Sequence, residues 1–314
     1  MTKPLQYENR GITARILDQP YLLLLLAPLF WGGNFVAAKM VADEITPFLL
    51  IASRCVAATL VIWPFAWRFV RADWQQIKRH WLLLMCYGAG GYALFNVLVY
   101  AGAHTTTALN ASIEQASLPM LIMAANFALF KVRASWIQIV GVLVALFGVI
   151  LTATHGNPLR LITLQINQGD GLVMLACLSY TAYTLGLKYR PRVHLMSFMA
   201  VAFSGAALAS LIMLHFLGGG LGQFATLSDA SPKVWGVIIY VAIFPSMFSQ
   251  IAYARGVELL GANRAAPTHN MIPVFGSLLS VLLLGEHLES YHYLAAMIII
   301  AGIVLAEWAA RQRR

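Results

Sequence analysis

Long apolar segments separated by short polar stretches run along almost the whole chain. A helix needs about 20 mostly apolar residues to cross a bilayer, and ten segments approach or exceed that length. They fall near residues 20–42, 46–67, 81–103, 105–130, 134–153, 169–187, 195–217, 233–254, 262–284 and 289–308. The pattern predicts an all-α integral membrane protein with ten transmembrane helices.

The first of these segments carries its polar and helix-weakening residues at mid-length. Its central stretch, LAPLFWGGNFVAAK, contains Pro28, the pair Gly32 and Gly33, and the polar Trp31 and Asn34. Trp31 lies roughly 16 Å along the helix at 1.5 Å per residue, away from the interfaces that tryptophans prefer. Asn34, three residues further, shares its face. Two interpretations stay open: this face packs between helices, or it lines a substrate cavity.

Composition and charge fit a membrane protein with a defined orientation. The chain is 60% hydrophobic and 11% charged, with a mean hydropathy of +0.73, whereas about a quarter of a typical soluble domain is charged. If the N-terminus is cytoplasmic, 17 of the 21 Lys and Arg residues fall on the cytoplasmic side. This agrees with the excess of Lys and Arg in the cytoplasmic loops of membrane proteins. Lys39, Arg160 and Lys233 fall on the opposite side, and Arg54 lies within a span. We predict cytoplasmic termini, and the net charge of +9 requires no nucleic-acid partner.

Signatures of metal, hydrolytic and ATP chemistry are absent from the sequence. The three cysteines lie in apolar segments and lack the spacing of metal ligands. We therefore predict that all three are buried thiols. There is no HExxH, no GxSxG and no P-loop lysine motif. We therefore expect no enzyme activity, no ATP use, no cofactor and no metal.

The two halves of the chain resemble each other. LAPLFWGGNFVAAK (26–39) aligns with LACLSYTAYTLGLK (175–188), and the following residues pair in order: Tyr87 with Tyr240, Tyr100 with Tyr253, Asn110 with Asn263, and Pro119 with Pro273. Because each half has an odd number of spans, five, the second half crosses the membrane in the opposite orientation. Such inverted repeats are typical of secondary transporters, whose substrate site lies between the halves. The predicted organisation is a cytoplasmic tail (1–19), a first repeat (20–153), a periplasmic linker (154–168), a second repeat (169–308) and a cytoplasmic tail (309–314).

Interior polar residues concentrate on the third, fourth, eighth and ninth spans. Spacings close to one helical turn define two stripes: Gly88, Tyr92, Asn96 and Tyr100 on the third span, and Ser246, Gln250 and Tyr253 on the eighth. The fourth span carries Asn110, Glu114 and Gln115, and the ninth carries Thr268, His269 and Asn270. We expect spans two, five, seven and ten to form mainly a lipid-facing scaffold.

A few residues have predicted roles in ion pairing, proton coupling or bending. A charge at mid-membrane costs on the order of 2.5–3.5 kcal/mol, so Arg54 and Glu114, at similar depths, are predicted to form a structural ion pair. Glu114 and His269 are the candidate proton carriers. The candidate kink or gating positions are Pro28, Gly32, Gly33, Pro119, Pro245 and Pro273.

Three stretches carry a family resemblance over essentially the whole chain: LFWGGNFVAAK (29–39), PFLLIASRCVAATLVIWPF (47–65) and PVFGSLLSVLLLGEHL (273–288). They resemble the EamA type of the drug/metabolite transporter superfamily, and more narrowly its bacterial aromatic amino acid exporters. The resemblance implies two inverted five-helix halves, a place in the bacterial inner membrane, and export of small metabolites, often amino acids. One departure is Lys131-Val132-Arg133 in the first half, opposite Gly285-Glu286-His287 in the second.

These observations predict an alternating-access exporter of aromatic or neutral amino acids, whose partners are a small-molecule substrate and the lipid bilayer. The predicted substrate-binding residues are Trp31, Asn34, Tyr92, Asn96, Tyr180, Tyr183, Ser246, Gln250, His269 and Asn270. The alternatives are a multidrug or lipid-precursor exporter on the same fold, a membrane-embedded enzyme, or a structural scaffold. The sequence leaves the coupling ion and the oligomeric state open, and a monomer is compatible with it.

Overall fold

Helices account for nearly all of the ordered elements in the computed structural model, which describes residues 17–103, 105–163 and 165–312. Over these residues nine helices are long and apolar enough to cross a membrane, and a bent pair supplies a tenth. The ten spans, in order, are Pro20–Met40, Pro47–Ala72, Trp74–Gly102, the bent pair Ala108–Ala116 and Leu118–Phe130, Trp136–Ala153, Gln168–Gly186, Leu195–Leu217, Pro232–Leu260, Ala262–Leu284 and Ser290–Arg311. The prediction of an all-α, multi-pass membrane protein is confirmed.

The span ends differ from the predicted boundaries where a helix extends beyond its apolar segment. The third span begins at Trp74 rather than at 81, because its first turns are amphipathic: Ile77 is buried while Lys78 and Arg79 are exposed. The helix bends at His80, where φ is −125°. Of the predicted tails, residues 1–16, 313 and 314 lie outside the described residues, and with them Lys3, Arg10, Arg15, Arg313 and Arg314.

Irregular helical segments occur in the spans that carry the interior polar residues. The third and eighth contain π-helical segments, Ala89–Leu94 and Ala242–Phe248. The fourth bends by 40° at Ser117, and the ninth contains a 3-10 segment, Ala266–Met271. Three predicted kink prolines lie at these places: Pro119 and Pro273 near the start of a new helix, and Pro245 inside a π segment. Pro28 differs, because the first span runs through it as one uninterrupted helix.

Polar contacts near the span ends show which ends share a side of the bundle. On the side where the first span ends, Lys39 pairs with Glu286 at 2.6 Å, and Glu44 pairs with Lys233 at 3.0 Å. We call this the Met40 side. On the side where the first span begins, the Pro20 side, Tyr21 donates to Glu307 at 2.7 Å. Further pairs there are Asp18 with Arg255 at 3.1 Å and Arg190 with Glu258 at 2.7 Å. Successive spans therefore alternate in direction.

Small residues allow close packing between the scaffold spans. The second span packs on the seventh, and the fifth on the tenth. A Cβ atom added to Gly141 would lie 2.5 Å from the backbone nitrogen of Ala306, so the fifth and tenth spans meet backbone to backbone. The outer faces are apolar and exposed, as at Phe65 and Met297. Cys86 is exposed as well, so the prediction of buried thiols holds for Cys55 and Cys177 and is wrong for Cys86.

The glycine pair of the first span lies at its contact with the second half of the chain. A Cβ atom added to Gly32 would lie 2.7 Å from the backbone nitrogen of Gly276 on the ninth span. A Cβ atom added to Gly33 would overlap the Tyr240 hydroxyl on the eighth. Both glycines are therefore explained by close packing of helices.

We predict that Gly32→Ala lowers the stability of the detergent-solubilised protein by about 1–3 kcal/mol, the usual cost of overpacking. Gly236→Ala is the matched control, because this helical glycine is exposed and an added Cβ atom would meet nothing within 4 Å. Thermal unfolding should show a lower midpoint for the first variant only. Equal midpoints would show that the first and ninth spans do not approach as closely as described.

Candidate functional site

A cavity of about 320 Å³ lies between spans of the two halves. Its lining residues are Trp31, Asn34, Arg54, Phe95, Asn96, Ser112, Gln115, Ala116, Leu118, Val149, Tyr180, Gln250, His269, Asn270, Ile272, Pro273, Gly276 and Ser277. Seven of the ten predicted substrate-binding residues are in this set, and Tyr92, Tyr183 and Ser246 are not. The irregular spans bring these polar residues together, because the third, fourth, eighth and ninth all reach the cavity.

The cavity occupies the half of the bundle nearer the Met40 side. Asn34 lies six residues before the end of the first span, and Asn96 six residues before the end of the third. At 1.5 Å per residue, both lie about 9 Å from that side. Tyr180 and His269 mark its deepest part, 12 and 15 residues from the Met40-side ends of their spans.

Four aromatic rings form the floor of the cavity. The His269 ring stacks on Trp31, with centroids 5.1 Å apart and planes at 29°. Tyr180 meets the rings of Trp31 and His269 edge-on, at 6.2 Å and 5.3 Å. Tyr253 lies below them, at 4.7 Å from His269 and 5.5 Å from Trp31. Since aromatic pairs prefer edge and offset arrangements, these contacts stabilise one another and separate the cavity from the Pro20 side.

The π segment of the eighth span fixes the orientation of Trp31. The indole nitrogen of Trp31 donates to the backbone carbonyl of Pro245 at 3.1 Å. The Ser249 hydroxyl lies within 3.2 Å of the carbonyls of Ala27 and Phe244, and so joins the first span to the eighth. Trp31 is thus held by one hydrogen bond and three ring contacts, and one side of it remains open to the cavity.

Several buried polar atoms of the lining have no hydrogen-bond partner among the described residues. They are Nε of Arg54, the Tyr180 hydroxyl, Oε1 of Gln250, and both Nδ2 and Oδ1 of Asn270. Gln250 is 5% exposed and Asn270 1%. A buried polar group without a partner costs free energy, on the order of 1–3 kcal/mol in proteins. The site therefore offers donors and acceptors that a polar ligand can satisfy.

Tyr92, Tyr183 and Ser246 make contacts away from the cavity. The hydroxyls of Tyr92 and Tyr183 lie 3.1 Å apart in a hydrogen bond, and Tyr92 packs on Phe203. The Ser246 hydroxyl donates to the carbonyl of Val241 at 2.7 Å inside the π segment. A π-helical turn holds an extra residue, so the predicted stripes rotate out of register there. This register change turns Tyr92 away from Asn96, and Ser246 away from Gln250.

The predicted ion pair between Arg54 and Glu114 is not formed. Arg54 instead donates from its guanidinium to Oδ1 of Asn34 at 3.1 Å and lines the cavity. Glu114 lies against the sixth span, where the Cys177 thiol donates to its backbone carbonyl at 3.6 Å. Its carboxylate atom Oε2 is buried without a hydrogen-bond partner among the described residues. Arg54 and Glu114 therefore lie at similar depths, but their side chains do not face each other.

The two asparagines aligned between the halves both make buried contacts between spans. Asn110 donates to the carboxylate of Asp170 at 3.0 Å and joins the fourth span to the sixth. Oδ1 of Asn263 accepts a hydrogen bond from the Asn126 amide at 2.6 Å, and the backbone carbonyl of Asn263 accepts one from the Gln138 amide at 3.2 Å. Asp170 also accepts from Thr106 and from the backbone of Asn167. These contacts fix span ends on opposite sides of the cavity.

The sequence profile of the EamA-like transporter family matches residues 19–154 and 167–308, which together make up most of the chain. The chain belongs to this family.

Relatives and a solved structure agree with that assignment. The chain is 26% identical to an uncharacterized transporter of Archaeoglobus fulgidus over 92% of this chain and 97% of the other. It is 23% identical to the uncharacterized transporter YyaM of Bacillus subtilis, over 93% and 94%. A probable amino-acid metabolite efflux pump of Salmonella typhimurium is 25% identical, over 93% and 96%. One crystal structure superposes with a TM-score of 0.73 at 17% identity, over 95% of this chain and 99% of the other, which shows the fold alone.

The cavity of this EamA-like transporter is also lined by residues outside the predicted substrate-binding set. Gly276 and Ser277 follow Pro273 at i+3 and i+4, so they share its helix face. Phe95 lies 5.2 Å from the Tyr180 ring. Arg54 and Val149 come from the second and fifth spans, so the scaffold prediction is incomplete for these two spans. Helix periodicity counted from Pro273 could have found Ser277, whereas Phe95 carries no sequence signal.

We predict that the new thiol of Ser277→Cys reacts with a small, water-soluble thiol reagent, because Ser277 lines the cavity. Ser249→Cys, at a position with 0% exposure, is the matched control. Both variants belong in a Cys86→Ala background, since Cys86 is exposed and Cys55 and Cys177 are buried. Mass spectrometry should find the adduct on Ser277→Cys only. An unreactive Ser277→Cys variant, or equal labelling of both variants, would contradict the described cavity.

Proposed function

We propose that this chain is a secondary transporter that exports small metabolites, with aromatic or neutral amino acids as its substrates. The observation that carries the proposal is the combination of an aromatic floor with unpartnered polar atoms in one cavity of about 320 Å³. This volume is at the lower end of the range for small-molecule sites. The Salmonella relative described as a probable amino-acid metabolite efflux pump supports the same substrate class.

Each part of an amino acid has a complementary surface in the site. A flat side chain can stack on or meet the edges of Trp31, Tyr180 and Phe95. The amide oxygens of Gln250 and Asn270 can accept hydrogen bonds from an ammonium group. Binding would thus satisfy polar atoms that the protein itself leaves without partners in its described part.

The transport cycle we propose is alternating access between two inverted repeats, 20–153 and 169–308, in the bacterial inner membrane with both termini in the cytoplasm. In that orientation the Met40 side is periplasmic, and the cavity near it belongs to an outward-facing state. The rings of Trp31, Tyr180, Tyr253 and His269 then form the inner barrier, which must separate for substrate to enter from the cytoplasm. The two separate matches of the family profile support this division into repeats.

We propose that proton movement drives the cycle through Glu114, with His269 as the second titratable group. Support for Glu114 comes from its position beside the lining residue Gln115 and from its buried Oε2, which lacks a hydrogen-bond partner among the described residues. His269 lines the cavity, and its Nδ1 lies 3.2 Å from the carbonyl of Ala266. A carboxylate without a cationic partner can take up a proton as its surroundings change.

Two other functions would give different results in the same reconstituted system. An exporter of drugs or lipid precursors would be inhibited by lipophilic cations or lipids and little affected by amino acids. A membrane-embedded enzyme would alter its substrate, whereas a transporter releases it chemically unchanged. Chemical identification of the released compound therefore belongs in the flux experiment.

We predict saturable flux of radiolabelled L-tryptophan or L-phenylalanine in proteoliposomes. In Trp31→Ala this flux should fall by at least about tenfold, since truncation of a tryptophan that anchors a ligand costs about 2 kcal/mol. Trp136→Ala is the matched control, because Trp136 is 80% exposed on the fifth span. Monodisperse elution of both variants establishes folding. Absence of saturable flux for aromatic and neutral aliphatic amino acids would refute the proposed function.

We also predict that an imposed pH gradient accelerates wild-type flux and that Glu114→Gln abolishes this acceleration. The glutamine keeps the size and polarity of the side chain but cannot carry a proton. Flux should be measured with the gradient imposed and after its dissipation by a protonophore. A variant that still responds to the gradient would exclude Glu114 as the coupling residue.

A further inference from the structure

We propose that Arg54, held by Asn34, is the binding residue for a substrate carboxylate, so that the cavity selects compounds with one carboxylate beside a flat ring. This inference rests on the proposed function and deepens it, because it names the chemical group that the site recognises. It also replaces the prediction that Arg54 has a structural role in an ion pair.

The surroundings of Arg54 are those of a ligand-binding group. The side chain is 6% exposed, yet it lines the cavity. One terminal nitrogen donates to Oδ1 of Asn34 at 3.1 Å, and Nε has no hydrogen-bond partner among the described residues. Within those residues, no Asp or Glu belongs to the lining. The buried guanidinium is thus oriented by a neutral amide and is not neutralised by a carboxylate in the described part of the chain.

A buried charge of this kind is costly unless something pairs with it. Removal of an ion from water costs several kcal/mol in proteins, and a paired, hydrogen-bonded counter-ion recovers it. A guanidinium presents five N–H donors in a planar fork that matches a carboxylate. Asn34 occupies one donor, so several remain for a ligand. The missing counter-charge is therefore best supplied by the substrate.

The geometry of the first span connects this charge with the aromatic floor. Asn34 follows Trp31 by three residues, so both lie on the same helix face. Their Cβ atoms on such a face are about 5–6 Å apart. A compound whose ring contacts Trp31 can therefore place a carboxylate near the group that Asn34 holds. The single Arg of the described lining matches one carboxylate, whereas a phosphate or dicarboxylate would bring excess negative charge.

The test is calorimetric binding of four indoles to the full-length protein in detergent: L-tryptophan, L-tryptophanamide, indole-3-acetate and tryptamine. The first and third carry a carboxylate, and the other two do not. In Arg54→Gln we expect the affinities for L-tryptophan and indole-3-acetate to fall by about 10- to 100-fold, because hydrogen bonds to charged groups are lost. Affinities for tryptophanamide and tryptamine should not fall, because neither has a carboxylate for the guanidinium and removal of a positive charge favours their ammonium groups.

A second variant tests the same prediction in case Arg54→Gln does not fold. Asn34→Asp is nearly isosteric and places a carboxylate against the guanidinium, so we expect the same selective loss. Loss of affinity for all four compounds in equal proportion, or for none of them, would overturn the role of Arg54 and leave amino acid export standing. Wild-type binding of indole-3-acetate but not of L-tryptophan, with dependence on Arg54, would refute export of aromatic amino acids and support the carboxylate site. Wild-type binding of none of the four would overturn both the carboxylate site and the aromatic part of the proposed substrate class.

Discussion

Polar groups at mid-depth in a membrane protein must be satisfied without help from lipid, and this constraint organises the structure. Several interior polar residues meet it by bonding between spans near the span ends, as Asn110 does with Asp170 and Asn126 with Asn263. Another set around the cavity, including Gln250 and Asn270, has atoms without partners in the described part of the chain. The first set fixes the positions of the spans. The second set marks the place where a ligand can supply what the protein lacks.

Irregular helix geometry makes the cavity compatible with this constraint. The π segments of the third and eighth spans and the breaks in the fourth and ninth leave backbone carbonyls available to side chains. Trp31 uses one of them, the carbonyl of Pro245. Close contact between Gly32 and Gly276 then brings the first and ninth spans together beside the aromatic floor. In the proposed transport cycle, this barrier of ring contacts and a single indole hydrogen bond is the part that must separate.

The sequence predicted the class, the ten spans and most of the cavity, because hydropathy and helix periodicity depend on local patterns. These local patterns identified four residues that line the cavity, namely Trp31, Asn34, His269 and Asn270. Tyr92 and Ser246 were predicted to line the cavity and do not, because a π turn changes the register of each stripe. Pro245 marks one of these segments as irregular, but residue spacing alone does not give the change of register. The pairing of Arg54 with Glu114 failed for another reason: depth follows from counting residues, whereas the direction in which a side chain points depends on how the spans pack.

The most direct test of the central claim is the position of a bound substrate in an experimental structure. Crystals grown with 5-bromo-L-tryptophan would locate the bromine by its anomalous signal. We predict one bromine peak inside the cavity, against the rings of Trp31 and Tyr180. A peak at another site, such as the pocket beside Tyr21 and Trp308, with the cavity empty in a protein that transports the compound, would contradict it.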